Sequence, residues 1–580
     1  MSIRAPIFGL LLFALPLPGL GSEALWEAVR ADDAAAVARL LTANADLDRR
    51  NRDGFTPLMI AVRNQSHAIV SLLLERGAST EALDPQGYSP LLMAASQGDA
   101  ETVQQLLRAD ASPEPQGGCC TALIAAAAQG RIEIVDQLLA LGVDKNAVNR
   151  VGDSALIAAV RGNHKPVIHR LLRAGANPLA RGRDGVGLLV WAVRHGDPSL
   201  VTILLKSGAD PNAGLGGHRT PLGIAVDAGR PEVARLLLKA GADPTSDQAE
   251  GDLLIRAARQ GHPELMHLLM QADIGIDAAD RQGRTALYVA ASKDHDAIVE
   301  WLLRLNADPN AQTKNGRTPM NAAVHFQLTG IVQHLLDAGA WVDRPMPDGR
   351  TDLAVAFERF DLKTAKVLMK AGADIARVAR LSDGPLPQVL ARAGQADLNF
   401  LMESGVDPDL RQRGRTALML ALEKFAPENV QRLLDAGSDP QARDPLDETP
   451  LFYAAKRGDL TTLRLLVDYG AQVDARNVKH ETPLIKAALW KQTAGLQTLL
   501  ELGADPNAAS LRGTTALIAA AYEGDAAVAQ ILLAAGADPS RRDAQGQTAL
   551  FIARSEGHEA MARLLESRQA LPPQAPIPGR

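Results

Sequence analysis

Cysteine is almost absent from this chain of 580 residues, which has two, Cys119 and Cys120, side by side. A disulfide-stapled exported scaffold carries several separated cysteines, so that class of fold is excluded. Neighbouring Cα atoms lie about 3.8 Å apart, less than the usual span of a disulfide, so a bond between the two would be strained. Two interpretations stay open: a pair of small turn residues, or a redox-labile bridge.

Aromatic residues are also scarce, at 3% of the chain, although 46% of it is hydrophobic. The core must therefore be built from Ala, Leu, Ile and Val, whose small side chains allow helices to lie close together. The formal net charge is −6, so the chain as a whole has no positive excess that favours nucleic acid. We expect protein partners and no nucleic-acid partner.

Catalytic and metal-binding motifs are missing too. The chain has no Gly-x-Ser-x-Gly, no GxxxxGK[ST] and no HExxH. Four histidines occupy one position of the repeat described below, which predicts a structural role for His164, His262, His295 and His558. We expect no enzyme activity, no cofactor and no metal. The alternative is an enzyme whose site lies in an irregular stretch such as residues 381–408.

Long apolar runs are confined to the first residues. Arg4 precedes an apolar stretch at residues 7–15, which is too short to span a bilayer, and residues 19–21 form a small-x-small cleavage pattern. Residues 1–21 therefore predict a cleaved secretory signal peptide and a periplasmic or secreted mature chain without stable membrane insertion. The alternative is a retained N-terminal membrane anchor.

What the chain has in abundance is a repeat. A Thr-Pro-Leu or Thr-Ala-Leu step, or a variant of it, returns every 33 residues, occasionally 32. The first residues of these steps are Thr56, Ser89, Thr121, Ser154, Gly187, Thr220, Asp252, Thr285, Thr318, Thr351, Gly384, Thr416, Thr449, Thr482, Thr515 and Thr548. With a helical pair near Glu23, this gives about 17 units over residues 22–568. So strict a period predicts a stacked array in which each unit buries its apolar face against its neighbours.

The repeat at residues 53–79 indicates what each unit forms. Asp53 and Gly54 make a tight turn. Thr56 is a helix N-cap, and Pro57 takes the first helical position, where its missing N–H does no harm. A second helix with apolar residues at helical spacing follows. Each unit is therefore a helix-turn-helix with a protruding hairpin-like loop, and the fold class is all-α.

These motifs resemble the ankyrin repeat family, whose 33-residue unit carries D-x-x-G-x-T-P-L-H-x-A-A, then Gly-His and a Leu-rich second helix. The resemblance implies a solenoid that curves into a superhelix, with a concave groove that binds a partner protein. The family's His after Thr-Pro-Leu is missing, and residues such as Met59 and Phe452 take its place. We therefore expect apolar contact instead of the family's polar bridge between repeats.

Two units depart from the pattern, and so does the end of the chain. The unit near residues 244–277 lacks the Thr cap. In the unit 381–408, Gly384 has no capping hydroxyl and Pro387 puts a second proline into the first helix, which predicts a bend or a looser joint. Residues 569–580 are Pro-rich and predict a disordered tail.

Basic residues mark the predicted binding groove. In ankyrin proteins the residue before the cap lies at the hairpin tip and often contacts the partner, and the residue seven positions after the cap lies on the groove side. These two positions predict a basic stripe for an acidic protein surface, formed by Arg161, Arg194, Arg219, Arg259, Arg284, Arg317, Arg350 and Arg415. The alternative is that these arginines only keep the surface soluble.

Aromatic residues form a second candidate surface. Tyr453, Trp490 and Tyr522 fall at similar groove positions of successive late repeats, and exposed aromatics can anchor an interface. The alternative is ordinary packing between repeats. Trp341 lies in a loop and is a further candidate.

The sequence as a whole predicts an exported bacterial scaffold, without catalysis of its own, that binds one or more proteins as a monomer. Three other roles stay open. The array can be a structural spacer, an accessory factor that supports a periplasmic enzyme, or part of a toxin–immunity system.

Overall fold

The computed structural model describes residues 20–41, 46–114, 116–117, 119–182, 185–214, 219–245, 252–424 and 427–569. Most of the predicted signal peptide and of the predicted tail therefore lies outside the described residues. Contacts divide the chain into two compact units, residues 1–289 and 290–580, which are described separately.

The first unit consists of helices in consecutive pairs. These helices are α1 (Leu20–Arg30), α2 (Ala34–Leu41), α3 (Pro57–Asn64), α4 (His67–Glu75), α5 (Pro90–Gln97), α6 (Ala100–Arg108), α7 (Ala122–Ala128), α8 (Ile132–Ala140), α9 (Ala155–Arg161), α10 (Lys165–Arg173), α11 (Leu188–His195), α12 (Pro198–Lys206), α13 (Pro221–Asp227), α14 (Pro231–Lys239), α15 (Asp252–Gln260) and α16 (Pro263–Gln271). The division between the units falls within α17 (Ala286–Ser292).

The second unit continues the pairs and adds one short hairpin. Its elements are α18 (Asp296–Arg304), α19 (Pro319–His325), α20 (Thr329–Asp337), α21 (Asp352–Glu358), α22 (Leu362–Lys370), α23 (Ile375–Ala379), α24 (Leu386–Leu390), α25 (Gln395–Glu403), β1 (Arg411–Gln412), β2 (Arg415–Thr416), α26 (Ala417–Glu423), α27 (Pro427–Asp435), α28 (Pro450–Arg457), α29 (Leu460–Asp468), α30 (Pro483–Leu489), α31 (Thr493–Glu501), α32 (Ala516–Glu523), α33 (Ala526–Ala534), α34 (Ala549–Ser555) and α35 (Glu559–Gln569).

Most first helices begin where the Thr step predicts. The Thr482 hydroxyl accepts a hydrogen bond from the Ile485 backbone N–H at 3.4 Å, and Thr56 and Thr515 cap their helices in the same way. Such a cap satisfies a backbone donor that the helix itself leaves unpaired. The prediction of a helix-turn-helix repeat is confirmed, and both units are all-helical repeat arrays.

The core of each unit lies between two layers of helices. First helices contact the first helices of neighbouring repeats, as α5 contacts α7 and α28 contacts α30, and second helices pair likewise. Leu58 and Leu451, which follow the Thr-Pro step, are fully buried. Burial of such an aliphatic side chain stabilises the fold by about 1.5 to 3 kcal/mol.

A histidine after the first helix ties neighbouring repeats together. His164 lies within 3.0 Å of the Ala128 carbonyl oxygen of the preceding repeat, and His558 makes the same contact with Tyr522 at 3.1 Å. The His164 ring covers Gly130, where a Cβ atom would lie 2.5 Å from Nδ1. Gly130 also has a φ of +70°, which a glycine adopts without strain. The structural role predicted for these two histidines is confirmed.

The loops between repeats form the predicted hairpins. β1 and β2 are antiparallel, and single bridges such as Val148 with Ser154 occupy the same place in other repeats. Neighbouring tips are joined by backbone hydrogen bonds, since the Val478 N–H donates to the Leu446 carbonyl at 2.9 Å. Successive tips in this part of the second unit are thereby held in a fixed register.

The unit 381–408 is irregular in detail. Its first helix, α24, has five residues, and the additional helix α23, also of five residues, occupies the loop before it. The sequence assigns the cap to Gly384, but the N-cap is Pro385, because Gly384 has no hydroxyl to hold the first turn. A bend or looser joint here stays a prediction. Within the other departing unit, residues 246–251 lie outside the described part, and α15 has nine residues.

One polar bridge between repeats does exist, at the position where the family carries His. The Asn321 side-chain amide donates to the buried Asp352 carboxylate of the next repeat at 2.8 Å, and its oxygen accepts from the Thr318 N–H at 2.8 Å. The expectation that apolar contact replaces the bridge throughout is therefore wrong at Asn321. An amide can accept within its own repeat and donate to the next, as the apolar residues at this position cannot.

Candidate functional surface

Two positions of each repeat face one another across the first helix. Counting the Thr step as position 0, these are the tip position −1 and position +7. In the second unit, Arg350 donates to Glu358 at 2.7 Å, and Arg415 donates to Glu423 at 2.9 Å. In the first unit, Asp153 and Arg161 form the same pair with the signs reversed. A recurring ion pair thus joins the hairpin tip to the end of the helix that follows it.

These pairs compensate much of the charge of the predicted basic stripe. Besides the arginines just described, Arg219 lies 3.8 Å from Asp227, and Arg284 lies 2.6 Å from Asp280. Partial exposure keeps each pair weak, at about 0 to 1 kcal/mol. The stripe therefore presents alternating signs in these repeats, so its positive potential is lower than the arginine count indicates.

The remaining arginines of the stripe are exposed. In the first unit, the guanidinium group of the exposed Arg194 lies 5.4 Å from the Trp191 ring centroid, and that of the paired, half-buried Arg161 lies 5.6 Å from it. These are cation–π contacts, which hold both side chains near one ring. Arg259, in the first unit, and Arg317, in the second, are also exposed.

Arginine side chains of the second unit surround His325. Burial lowers the pKa of His325, and the charges of Arg359, Arg317 and Arg350 lower it further. The Arg359 guanidinium contacts the imidazole at 2.9 Å, and Phe326 meets the same ring edge-on with a centroid distance of 5.0 Å. Positive charge is therefore concentrated at the ends of α19 and α21.

The candidate aromatics differ in exposure. Trp490 is 59% exposed, Tyr522 is 43% exposed, and Trp341 is 44% exposed with the Arg344 guanidinium 4.1 Å from its ring centroid. Tyr453 is half-buried, and its hydroxyl donates to Asp444 at 2.8 Å. Burial and this acceptor raise the pKa of Tyr453. Tyr453 is thus part of the packing of its repeat, whereas Trp490, Tyr522 and Trp341 are accessible to a partner.

A second row of residues was missed by the sequence analysis. It occupies position +8, at the C-terminal ends of the first helices of the second unit. We call six consecutive members of it the terminal row, and these, all exposed, are Phe326, Arg359, Arg392, Lys424, Arg457 and Trp490. The same position carries Lys293 before them and Glu523 and Glu556 after them. The same position of the first unit carries Asn64, Gln97, Gln129, Gly162, His195, Ala228 and Gln260, none of them Lys or Arg. Alignment of the repeats at position +8 is the signal that finds it.

Two cavities flank Phe360, which follows the terminal-row residue Arg359. One, of about 360 Å³, is lined by the Arg350 and Glu358 ion pair and by residues 381–385. The other, of about 640 Å³, extends over three repeats, from Gln327 past residues 359–366 to Asp397. Neither is lined by a described histidine or cysteine.

A buried charge cluster lies further along the second unit. The Glu448 side chain is 3% exposed and forms ion pairs with Lys456 and Lys486, and Lys486 also lies 2.6 Å from Glu481. Burial alone would raise the pKa of Glu481, but hydrogen bonds from Lys486 and Asn477 lower it. The cluster joins the repeats that begin at Thr449 and Thr482, so we assign it a structural role.

The two cysteines are free thiols whose sulfur atoms lie 3.4 Å apart. Burial and the neighbouring Cys119 raise the pKa of Cys120 to about 12. A thiol with so high a pKa is a poor nucleophile at neutral pH. The structure favours two small turn residues over a reactive pair.

The described residues contain neither a metal-binding cluster nor a membrane-spanning helix. Their His, Cys, Asp and Glu side chains form no group that could hold a metal ion. Their helices include none with the length and apolar character needed to cross a bilayer.

Comparison with known families identifies one match. A family model described as Ankyrin repeats (3 copies) matches residues 25–117, 91–181, 123–214, 156–248, 222–313, 423–510 and 508–572. These ranges overlap from 25 to 313 and from 423 to 572, and together they cover well over half of the chain. Residues 314–422, which include half of the terminal row, lie between them. No curated protein matches the chain.

Proposed function

The chain belongs to the ankyrin repeat family, and from that membership we propose that it is an exported, non-catalytic scaffold that binds a partner protein along its first helices and hairpin tips. Ankyrin-repeat proteins are generally adaptors that act by binding. The partner, the periplasmic or extracellular location and the monomeric state are parts of this proposal.

One observation carries the proposal: the positions that hold the fold are separate from the positions that vary. Leu451 and Leu484 occupy the same position of successive repeats and are buried alike. Arg457 and Trp490 also share a position, yet they are exposed and chemically different. A rigid backbone that displays different exposed side chains at a fixed spacing is suited to recognising a protein surface.

Capture in the native compartment tests the proposal. The full chain, tagged at its C-terminus, is produced in its source cell, crosslinked and purified, and bound proteins are identified by mass spectrometry. We expect one or a few proteins to be enriched over an unrelated exported protein with the same tag. Recovery of the chain without any enriched protein would contradict a binding role and favour a structural spacer.

Export is tested by the N-terminus of the mature chain. Cleavage near Gly21 predicts that the periplasmic or secreted form begins at or close to Ser22. An intact segment 1–21 in the membrane fraction would instead establish the retained anchor.

A further inference from the structure

Three cations of the terminal row have no carboxylate partner among the described residues: Arg359, Arg392 and Lys424. The Arg392 guanidinium lies 4.3 Å from the Phe360 ring centroid, and the Arg359 guanidinium contacts His325. Neither contact neutralises a charge. The nearby carboxylates Glu358 and Glu423 are held by the tip arginines. Positive charge therefore remains exposed along the terminal row, whereas the tip arginines Arg350 and Arg415 are neutralised by their ion pairs.

Stability of the helix ends does not explain the row. A cation at a helix C-terminus is worth about 0.3 to 1 kcal/mol, so some benefit exists. The first unit nevertheless has neutral residues at the same position. There Gln97 and Gln260 donate to carbonyl oxygens of the preceding repeat at 3.1 and 3.2 Å. In the second unit Arg457 makes this contact, with the Glu423 carbonyl. An amide therefore suffices for the fold at this position.

A wide cavity lies beside the row. The cavity of about 640 Å³ next to Arg359 is also lined by Lys363 and by Lys366, and it continues over three repeats. Lys366 is paired with Asp397 at 2.6 Å, whereas Lys363 is exposed. Exposed aromatic residues, Phe326 and Trp490, stand at the two ends of the row. The arrangement is a line of cations with an apolar contact at each end.

The distance between successive cations of the row indicates which peptide conformation can bind to it. Packed helices lie about 10 Å apart, so successive cations of the row are separated by about that distance. A polyproline II segment rises about 3.1 Å per residue and has three residues per turn, so every third side chain lies on one face about 9 Å apart. Resting on the proposed scaffold function, we propose that the terminal row binds an extended acidic segment of the partner protein, with carboxylates at about every third residue.

Charge density favours a protein segment over nucleic acid. A DNA strand carries one phosphate about every 3.4 Å, roughly three for each cation of the row. Most phosphates of a bound strand would therefore face no cation of the row, whereas a segment with spaced carboxylates matches the cations one to one.

A synthetic peptide tests the inference on the full chain. The probe is a fluorescent peptide of about 16 residues, with glutamate at every third position and proline and alanine between, and the control peptide has glutamine in place of glutamate. Binding is followed by fluorescence anisotropy at about 50 and about 300 mM NaCl. We expect the glutamate peptide to bind, more weakly at the higher salt concentration. Equal binding of the two peptides would overturn the inference.

Two matched triple variants locate the site. The substitutions Arg359→Gln, Arg392→Gln and Lys424→Gln copy the amides of the first unit, and we expect them together to weaken binding about tenfold or more. The control combines Lys370→Gln, Arg563→Gln and Arg568→Gln, exposed cations on the second helices α22 and α35 of the same unit, and removes the same charge. We expect less than about a threefold effect from it. An equal or larger loss in the control would overturn the inference.

A single substitution and a nucleic-acid probe provide two further tests of the row. Lys424→Gln alone, whose fold is checked by circular dichroism, should weaken binding about twofold to threefold, and no change would count against the row. A single-stranded DNA that bound more tightly than the peptide, and lost affinity in the terminal-row triple variant, would overturn the choice of a protein segment.

Failure of the inference is separable from failure of the scaffold function. If the terminal-row triple variant captures the native partner as well as the unaltered chain does, the inference is wrong and the scaffold function stands. If the unaltered chain captures no partner, both are wrong.

Discussion

The two units of this molecule are built on the same repeat but differ at two exposed positions. At position +8 the first unit carries neutral residues such as Gln97, whereas the second carries cations from Arg359 to Arg457. At position +9 the first unit mostly has glycine, as at Gly229. The second unit has glycine there in three repeats and other residues, such as Phe360 and Lys491, in the rest. Gly229, Phe360 and Lys491 all have positive φ. The left-handed backbone at position +9 is thus kept in these repeats although the side chains differ.

The difference shows which positions the fold requires and which it leaves free. Position +9 is left-handed where it ends a regular first helix, as at Gly229 and Lys491, and a side chain there stores strain. Position +8 needs at most a donor for a neighbouring carbonyl. The second unit departs from the simplest solution at both positions, and its residues 314–422 lie between the ranges that match the family model. Departure from the repeat pattern on exposed positions is the expected sign of a binding site.

The largest effect is expected from the buried charges of the second unit. Glu448→Gln leaves Lys456 and Lys486 without their shared carboxylate, so it should destabilise the surrounding repeats by about 2 to 3 kcal/mol. Asp153→Asn removes the corresponding tip carboxylate of the first unit, where Arg161 is more exposed, and should destabilise by about 1 kcal/mol. Hydrogen exchange followed by mass spectrometry reports the local stability of each unit. Equal losses of stability in the two variants would show that the buried carboxylate of the second unit contributes no more than the tip carboxylate of the first.

A slightly smaller effect is expected at position +9 of the first unit. Gly229 has a φ of +62°, and a Cβ atom there would lie 2.6 Å from His262 Nε2. Gly229→Ala therefore adds left-handed strain and displaces the ring, and should destabilise by about 2 kcal/mol. Thermal unfolding of the full chain, with exchange at residues 220–262, measures it. An unchanged stability would mean that the glycine is dispensable.

The pH dependence of the second unit has a component that the first unit lacks. Burial raises the pKa of Asp352 from 3.8 to about 6. The negative charge of Asp343 also raises it, whereas the hydrogen bond from Asn321 lowers it. A raised pKa means that the proton stabilises the fold, and this stabilisation is lost as the pH rises from about 4 through about 6. Asp352→Asn should therefore stabilise the second unit by roughly 2 kcal/mol at pH 7 and by almost nothing near pH 4.

Denaturation of the Asp352→Asn variant and the unaltered chain at several pH values checks this difference. The first unit has uncharged residues at the same position, such as Pro57 and Ala155, so its exchange rates should not change. A variant that is less stable than the unaltered chain at pH 7 would contradict the assignment.

The smallest effect is expected from relief of strain in the second unit. Lys491 has a φ of +55°, and its ion pair with Glu523, 3.4 Å long, is exposed. Lys491→Gly should stabilise by about 0.5 to 1 kcal/mol, because the strain relieved exceeds the added freedom of the unfolded chain. Thermal unfolding measures it: the midpoint should rise in Lys491→Gly, whereas it should fall in Gly229→Ala. Destabilisation by Lys491→Gly would show that a side chain with positive φ at position +9 does not strain the second unit.

Most of the fold could be predicted from local chemistry. A hydroxyl such as that of Thr482, followed by Pro483, specifies a helix start from within the repeat itself. The structural histidines could also be predicted, because they share one position of the period. The start of α24 could not, because Gly384 has no capping side chain and the position of the helix there depends on tertiary packing.

The candidate surface could be predicted only in part. The sequence identifies which residues vary, but it does not show that Arg350 is neutralised by Glu358, since a contact over eight residues requires the hairpin to fold back on its helix. The bridge from Asn321 to Asp352 joins adjacent repeats and depends on how they stack. The terminal row was visible in the sequence. The family resemblance does not point to it, because it implies contacts at the tip and groove positions and not at position +8.

Site-specific photo-crosslinking in the native compartment tests the central claim most directly. A photoreactive residue is placed at position +8 of either unit, in place of Lys424 or of Gln129, in otherwise unaltered full chains. We expect a crosslinked partner from position 424 and little or none from position 129. Crosslinks of equal yield from both positions, or from position 129 alone, would contradict it.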